Sequence, residues 1–109
     1  EAYLAALDEA LDEVFRRARP QLVIYLAGAD PYADDRLGRL ALSFEGLAAR
    51  DARVIGRCRE HGAALAIAMA GGYARRVEDT VNIHFNTLST AARLTAANAA
   101  AARQAPAAP

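Results

Sequence analysis

Apolar positions along this chain fall into two kinds of pattern, one helical and one continuous. Leu4, Leu7, Leu11, Val14 and Phe15 recur at helical spacing with Asp8, Glu9, Asp12 and Glu13 between them, and Pro20 stops the segment. Residues 22–27 (Leu-Val-Ile-Tyr-Leu-Ala) are apolar throughout and too short for a helix. Such a run predicts a strand buried on both faces, as in a parallel sheet. A long polar connection follows over 28–42, carrying Asp30, Pro31, Asp34, Asp35 and Arg36. Connections of this length are uncommon in compact α/β domains and are often functional.

Ser43 can cap the next helix, with Glu45 favourably placed in its first turn. Leu47, Val54, Ile55 and Cys58 mark its inner face, and Gly62 ends it. Residues 64–70 form a second apolar run, poor in β-branched residues, that leads into Gly71-Gly72-Tyr73. A third helix follows, with Val77, Val81, His84 and Leu88 on one stripe and Glu78 and Asp79 in its first turn. From about Ala96 the chain is alanine-rich and finishes in Pro106 and Pro109, which predicts a frayed helical end and then disorder.

The αβαβα order predicts an α/β fold with two parallel strands joined by a right-handed crossover helix. Two parallel strands cannot cover both faces and both edges, so a larger sheet is expected around them. Ligands in such sheets bind at the carboxyl ends of the strands, where Asp30 and Tyr73 both fall.

Composition narrows the classes without choosing among them. At 109 residues the chain is one domain at most. Its thirteen basic residues, all arginine, balance thirteen acidic ones, so no net field favours nucleic acid or membrane. No apolar stretch is long enough to span a bilayer and no signal-peptide pattern opens the chain, which therefore reads as cytoplasmic. It opens at Glu1, without methionine, and reads as a fragment. Cys58 stands alone, which excludes an internal disulfide and a cysteine zinc cluster, and its place on a helix's apolar side predicts burial.

Two elements together are more specific. The run 27–38 (Ala-Gly-Ala-Asp-Pro-Tyr-Ala-Asp-Asp-Arg-Leu-Gly), followed by Leu42-Ser43-Phe44-Glu45-Gly46, resembles the histone deacetylase family. Gly71-Gly72-Tyr73 resembles that family's glycine-rich loop ending in a catalytic tyrosine, and the order and separation of the two elements also match. Arg50-Asp51 and Arg75 lean towards its class IV and bacterial branch. The similarity runs from about Tyr3 to Leu94.

The resemblance implies a three-layer α/β/α arginase/deacetylase-like fold around a mostly parallel sheet. Residues 1–95 would be the C-terminal part of that catalytic domain, and 96–109 an Ala/Pro-rich disordered tail. Asp30 matches one aspartate of an Asp/His/Asp zinc site, and Tyr73 the tyrosine whose hydroxyl bonds the substrate's acyl carbonyl. Leu37 matches a wall of the acyl-lysine tunnel, Gly72 joins it in substrate binding, and Asp35 matches an acidic position that shapes the loop. The implied activity is zinc-dependent removal of acyl groups from acylated lysine, polyamine or another acyl-amine, without nucleic-acid or membrane partners. Zn2+ held by three protein ligands leaves a position for water and substrate oxygen, and Tyr73 would donate to the oxyanion. Gly71 and Gly72 suit close backbone approach and unusual dihedrals beside that phenol.

The departures are as informative. The family's paired histidines and its Asp-x-His ligands are missing; the histidines are His61, expected as a solvated residue at a helix end, and His84, expected in the core or behind the site's ligands. This chain alone is therefore expected to be inactive. Taken singly, Asp30 before Pro31 reads more often as a turn residue, and Gly-Gly after a strand equally suits phosphate, although Glu78 and Asp79 would repel it. A non-catalytic scaffold or acyl-binding relative, and a small phosphate- or nucleotide-binding α/β domain, stay open beside the hydrolase.

Overall fold

A computed structural model describes residues 1–104. The order is α1 (Ala2–Ala18), β1 (Leu22–Leu26), α2 (Phe44–Glu60), β2 (Ala64–Ala68) and α3 (Val77–Gln104). The two strands pair in parallel, from Leu22 opposite Ala64 to Leu26 opposite Ala68. This is a small α/β unit consistent with the deacetylase-domain architecture expected above.

Local chemistry sets the ends of these elements. Arg19 closes α1 in the left-handed region (φ 43°), its N–H donating to the Phe15 carbonyl before Pro20. Ser43 caps α2 by accepting the Gly46 N–H through its hydroxyl. Gly62 leaves α2 at φ +67°, a conformation that costs glycine least.

The core lies between α2 and the elements packed around it. Leu47, Val54, Ile55 and Cys58 are buried on α2, as their spacing predicts, and Ala29, Leu47 and Ile83 form a cluster with Tyr32, Leu42 and Phe44 against it. Burial pushes the Cys58 thiol up from its ordinary pKa, so it stays protonated and inert. His61 is exposed as expected, but its ring also stacks on Phe15 with centroids 4.6 Å apart.

Two expectations need correction. Strand β1 is covered on one face only: Leu22, Ile24 and Leu26 are exposed while Val23 and Tyr25 turn towards the helices. The two strands that this chain supplies bring helices to one side alone. On α3 the stripe of Val77, Val81 and Leu88 is exposed, with Phe85 beside it, and Ile83, Thr87 and Thr90 are buried instead. Thr87 turns inward because Asp51 and the Ile83 carbonyl satisfy its hydroxyl. Helix α3 runs to Gln104, through the stretch expected as a helical end, and the residues beyond it, 105–109, lie outside the described residues.

Candidate active site at the strand ends

Both strands run out at one rim. The Ala27 N–H donates to the Ala68 carbonyl at 2.9 Å, continuing the ladder, and the Ala29 N–H donates to the Gly71 carbonyl at 2.7 Å beyond it. The segment leading into Asp30 is therefore tied by backbone bonds to the segment before Tyr73. The Asp30 carboxylate stands over this junction. A Cβ on Gly71 would lie 3.0 Å from Asp30 Oδ1, and one on Gly28 would collide with the same oxygen. Asp30 is exposed, and no protein hydrogen bond engages its carboxylate among the described residues.

Tyr73 is held by its main chain, leaving its exposed phenol free of a protein partner among the described residues. Its N–H donates to Asp35 Oδ2 at 2.6 Å, and its carbonyl accepts from the Arg36 N–H at 3.0 Å and Arg36 Nε at 3.3 Å. Asp35 Oδ1 accepts the N–H groups of Leu37 (2.8 Å) and Gly38 (2.7 Å). Burial alone would raise the Asp35 pKa. The bonds from Tyr73, Gly38 and Leu37 outweigh it and hold the carboxyl below its ordinary value. Arg75 adds a flank, its N–H on the Asp34 carbonyl and its Nε 3.0 Å from Asp34 Oδ1.

Asp30, Leu37, Gly72 and Tyr73 thus share one rim, on two loops bonded to each other. Leu37 is 70% exposed and Tyr73 53%, so the rim has an open side. The glycines of the second loop serve closeness rather than dihedral freedom. Neither Gly71 nor Gly72 has positive φ, which corrects the expectation of unusual dihedrals; a Cβ on Gly72 would strike Thr80 and Ala29.

Beneath the rim lies a buried polar network that the sequence analysis left without a role. Asp51 is 1% exposed and accepts from Tyr25 Oη and Thr87 Oγ1, both at 2.5 Å, and from Arg50 Nε at 3.0 Å. Arg50, 4% exposed, uses Nη1 to donate 2.6 Å to the carbonyl of Gly28, two residues before Asp30. Burial and the Asp51 bond push the Tyr25 phenol far up, so it remains a neutral donor. A cavity of about 340 Å³ opens here, lined by Tyr3, Tyr25, Gly28, Asp30, Arg50 and Ala70. The signal was available: positions 50 and 51 share the inward line of Leu47 and Val54 on α2.

The chemical capacity of the rim follows from these parts. It offers one anionic oxygen donor without competing bonds, one phenolic donor and one apolar wall. Among the described residues no group of three His, Cys, Asp or Glu side chains could hold a metal. Asp30 fits a metal as a single ligand, which is less than a tight zinc site requires. No helix among the described residues is long and apolar enough to cross a membrane.

Known proteins resemble this chain over most of its length. The family model for the histone deacetylase domain matches residues 1–88. An uncharacterised protein of Picosynechococcus sp. is 38% identical over 93 residues, covering 85% of this chain and 31% of that protein. Histone deacetylase 2 of Arabidopsis thaliana is 41% identical over 83 residues, covering 72% of this chain and 21% of that protein. The chain thus spans between about a fifth and a third of the curated relatives that it matches.

Proposed function

Since the chain belongs to the histone deacetylase family, we propose that it is the C-terminal portion of a zinc-dependent amidohydrolase acting on acylated amines such as acyl-lysine. The observation that carries this reading is the joining of the Asp30 and Tyr73 loops into one open rim. N-acylated polyamines fit the same chemistry, since only the acyl end and its alkyl stem would meet these residues.

In this reading Asp30 supplies one of the zinc ligands, and the others come from outside this chain. Bound zinc supplies Lewis acidity towards the acyl carbonyl and lowers the pKa of a water. Everything else here belongs to the chain's own residues. Tyr73 donates its phenolic hydrogen to the acyl oxygen as negative charge develops there. Leu37 gives the alkyl stem an apolar wall beside that phenol. Gly72, with no room for a side chain, lets the loop lie close enough for the phenol to reach.

Two substitutions in the intact, zinc-loaded enzyme test the assignment. Tyr73→Phe should lower kcat by about 10²–10³-fold with KM nearly unchanged, because the donor acts mainly in the transition state. Asp30→Ala should release zinc, read by metal analysis after dialysis. Unaltered turnover in Tyr73→Phe would favour a non-catalytic role, and rapid zinc-dependent deacetylation by the 109-residue chain alone would overturn the division of ligands.

A further inference from the structure

We infer that Asp35 is a positioning residue whose single carboxylate fixes the Leu37 wall, the Tyr73 phenol and the Asp30 main chain in one register. The latch stands on geometry; its consequence for turnover rests on the amidohydrolase reading.

A simpler role fails to account for the bonds. An aspartate that only shapes its own turn needs N–H donors two or three residues on, and Leu37 and Gly38 provide these through Oδ1. Oδ2 reaches instead to the N–H of Tyr73, in the other loop, at 2.6 Å. The same two loops form an antiparallel bridge between Asp35 and Ala74, and Arg36 grips the Tyr73 carbonyl. Both polar groups of the Tyr73 main chain are thereby held by consecutive residues of the first loop. The turn that Asp35 closes also lies close against the Asp30 main chain: a Cβ at Gly38 would overlap the Asp30 carbonyl.

Only a carboxylate can make this joint. It accepts on both oxygens and donates on neither, and its charge-assisted bonds are shorter and stronger than neutral ones. The isosteric amide has one oxygen. Asn at this position can keep Leu37 and Gly38 or keep Tyr73, and its NH2 then faces an N–H donor. Glu keeps both acceptors on a stem one methylene longer. Loss of the second anchor leaves Tyr73 in place on average but free to wander, which a transition-state donor tolerates poorly.

Hydrogen exchange of the 109-residue chain, resolved by residue, tests the latch directly. In Asp35→Asn the Tyr73 amide should exchange about tenfold faster or more, while Ile55 and Ile83 in the core keep their rates. Asp35→Glu should restore part of the Tyr73 protection. Unchanged Tyr73 exchange in Asp35→Asn would overturn the inference, as would equal acceleration of loop and core amides, which marks Asp35 as a general fold residue. In the intact enzyme Asp35→Asn should lower kcat about tenfold or more with a smaller change in KM. Failure of the amidohydrolase reading shows separately, as undiminished kcat in Tyr73→Phe while the exchange result stands.

Discussion

The two faces of the β1–β2 sheet are made from the same ten residues, and only one of them is covered. On the covered face Tyr25 reaches Asp51 of α2, and Leu65 and Ile67 lie with Ile55 and Cys58 around one cavity. On the other face Leu22, Ile24 and Leu26 are 57%, 66% and 67% exposed. The apolar content of a strand reports how many layers its natural surroundings supply. It does not report how many of those layers lie in the same stretch of chain. Relatives several times longer than this chain have the residues to supply the second layer. The outer stripe of α3 (Val77, Val81, Phe85, Leu88) repeats the lesson on a helix.

The covered face is also the face with buried charge, so the largest expected effect lies there. Asp51→Ala would leave the Arg50 guanidinium without its counter-ion and the Tyr25 hydroxyl without its acceptor, while Thr87 would keep the Ile83 carbonyl. Breaking one side of a buried pair costs about 3–5 kcal/mol, a large part of what holds a small domain folded. Denaturant unfolding should show that loss. A cost under about 1 kcal/mol would mean that the helices cover the sheet without help from this network.

A paired substitution sharpens the contrast between the faces. Leu47→Ala, deep in the covered layer, should cost about 2–5 kcal/mol in this chain. Ile24→Ala, on the bare face, should cost no more than about 1 kcal/mol, the range of strand propensity. In the intact protein the two should converge, because a second layer would bury Ile24 as Leu47 is buried here. If Ile24→Ala stays mild in the intact protein, the bare face is a true surface and the expected second layer is wrong.

These differences trace what the residue pattern could and could not reveal. The Ser43 cap and the Gly62 stop were legible because each rests on contacts within a few residues. The strands were legible because their apolar runs are local, even though their partners lie 42 residues apart. Asp30 and Tyr73 were legible as a pair because parallel strands end at one rim, whatever the side chains between them. The buried face of α3 was not, since Thr87 and Thr90 look polar until an acceptor 36 residues away satisfies Thr87. The second bond of Asp35 was hidden for the same reason: a turn aspartate and a latch between loops read identically along the chain. Arg50 and Asp51 were on the page as inward positions of α2, and their charge disguised them as surface.

The smallest effect expected concerns α1, which touches the rest of the molecule differently from α2. One of its residues, Phe15, is buried, and its polar side is tied to α2 by Asp8 with Arg53 and by Asp12 with Arg57. The Asp8–Arg53 pair, at 3.0 Å, has both side chains more than a third exposed, so water and salt screen it. Asp8→Asn should cost only about 0.2–1 kcal/mol at low salt, and that difference should vanish near 1 M NaCl, where the screening length is about 3 Å. A salt-independent loss of several kcal/mol would instead place this pair with the Asp51 network, and α1 would belong to the covered layer as firmly as α2 does.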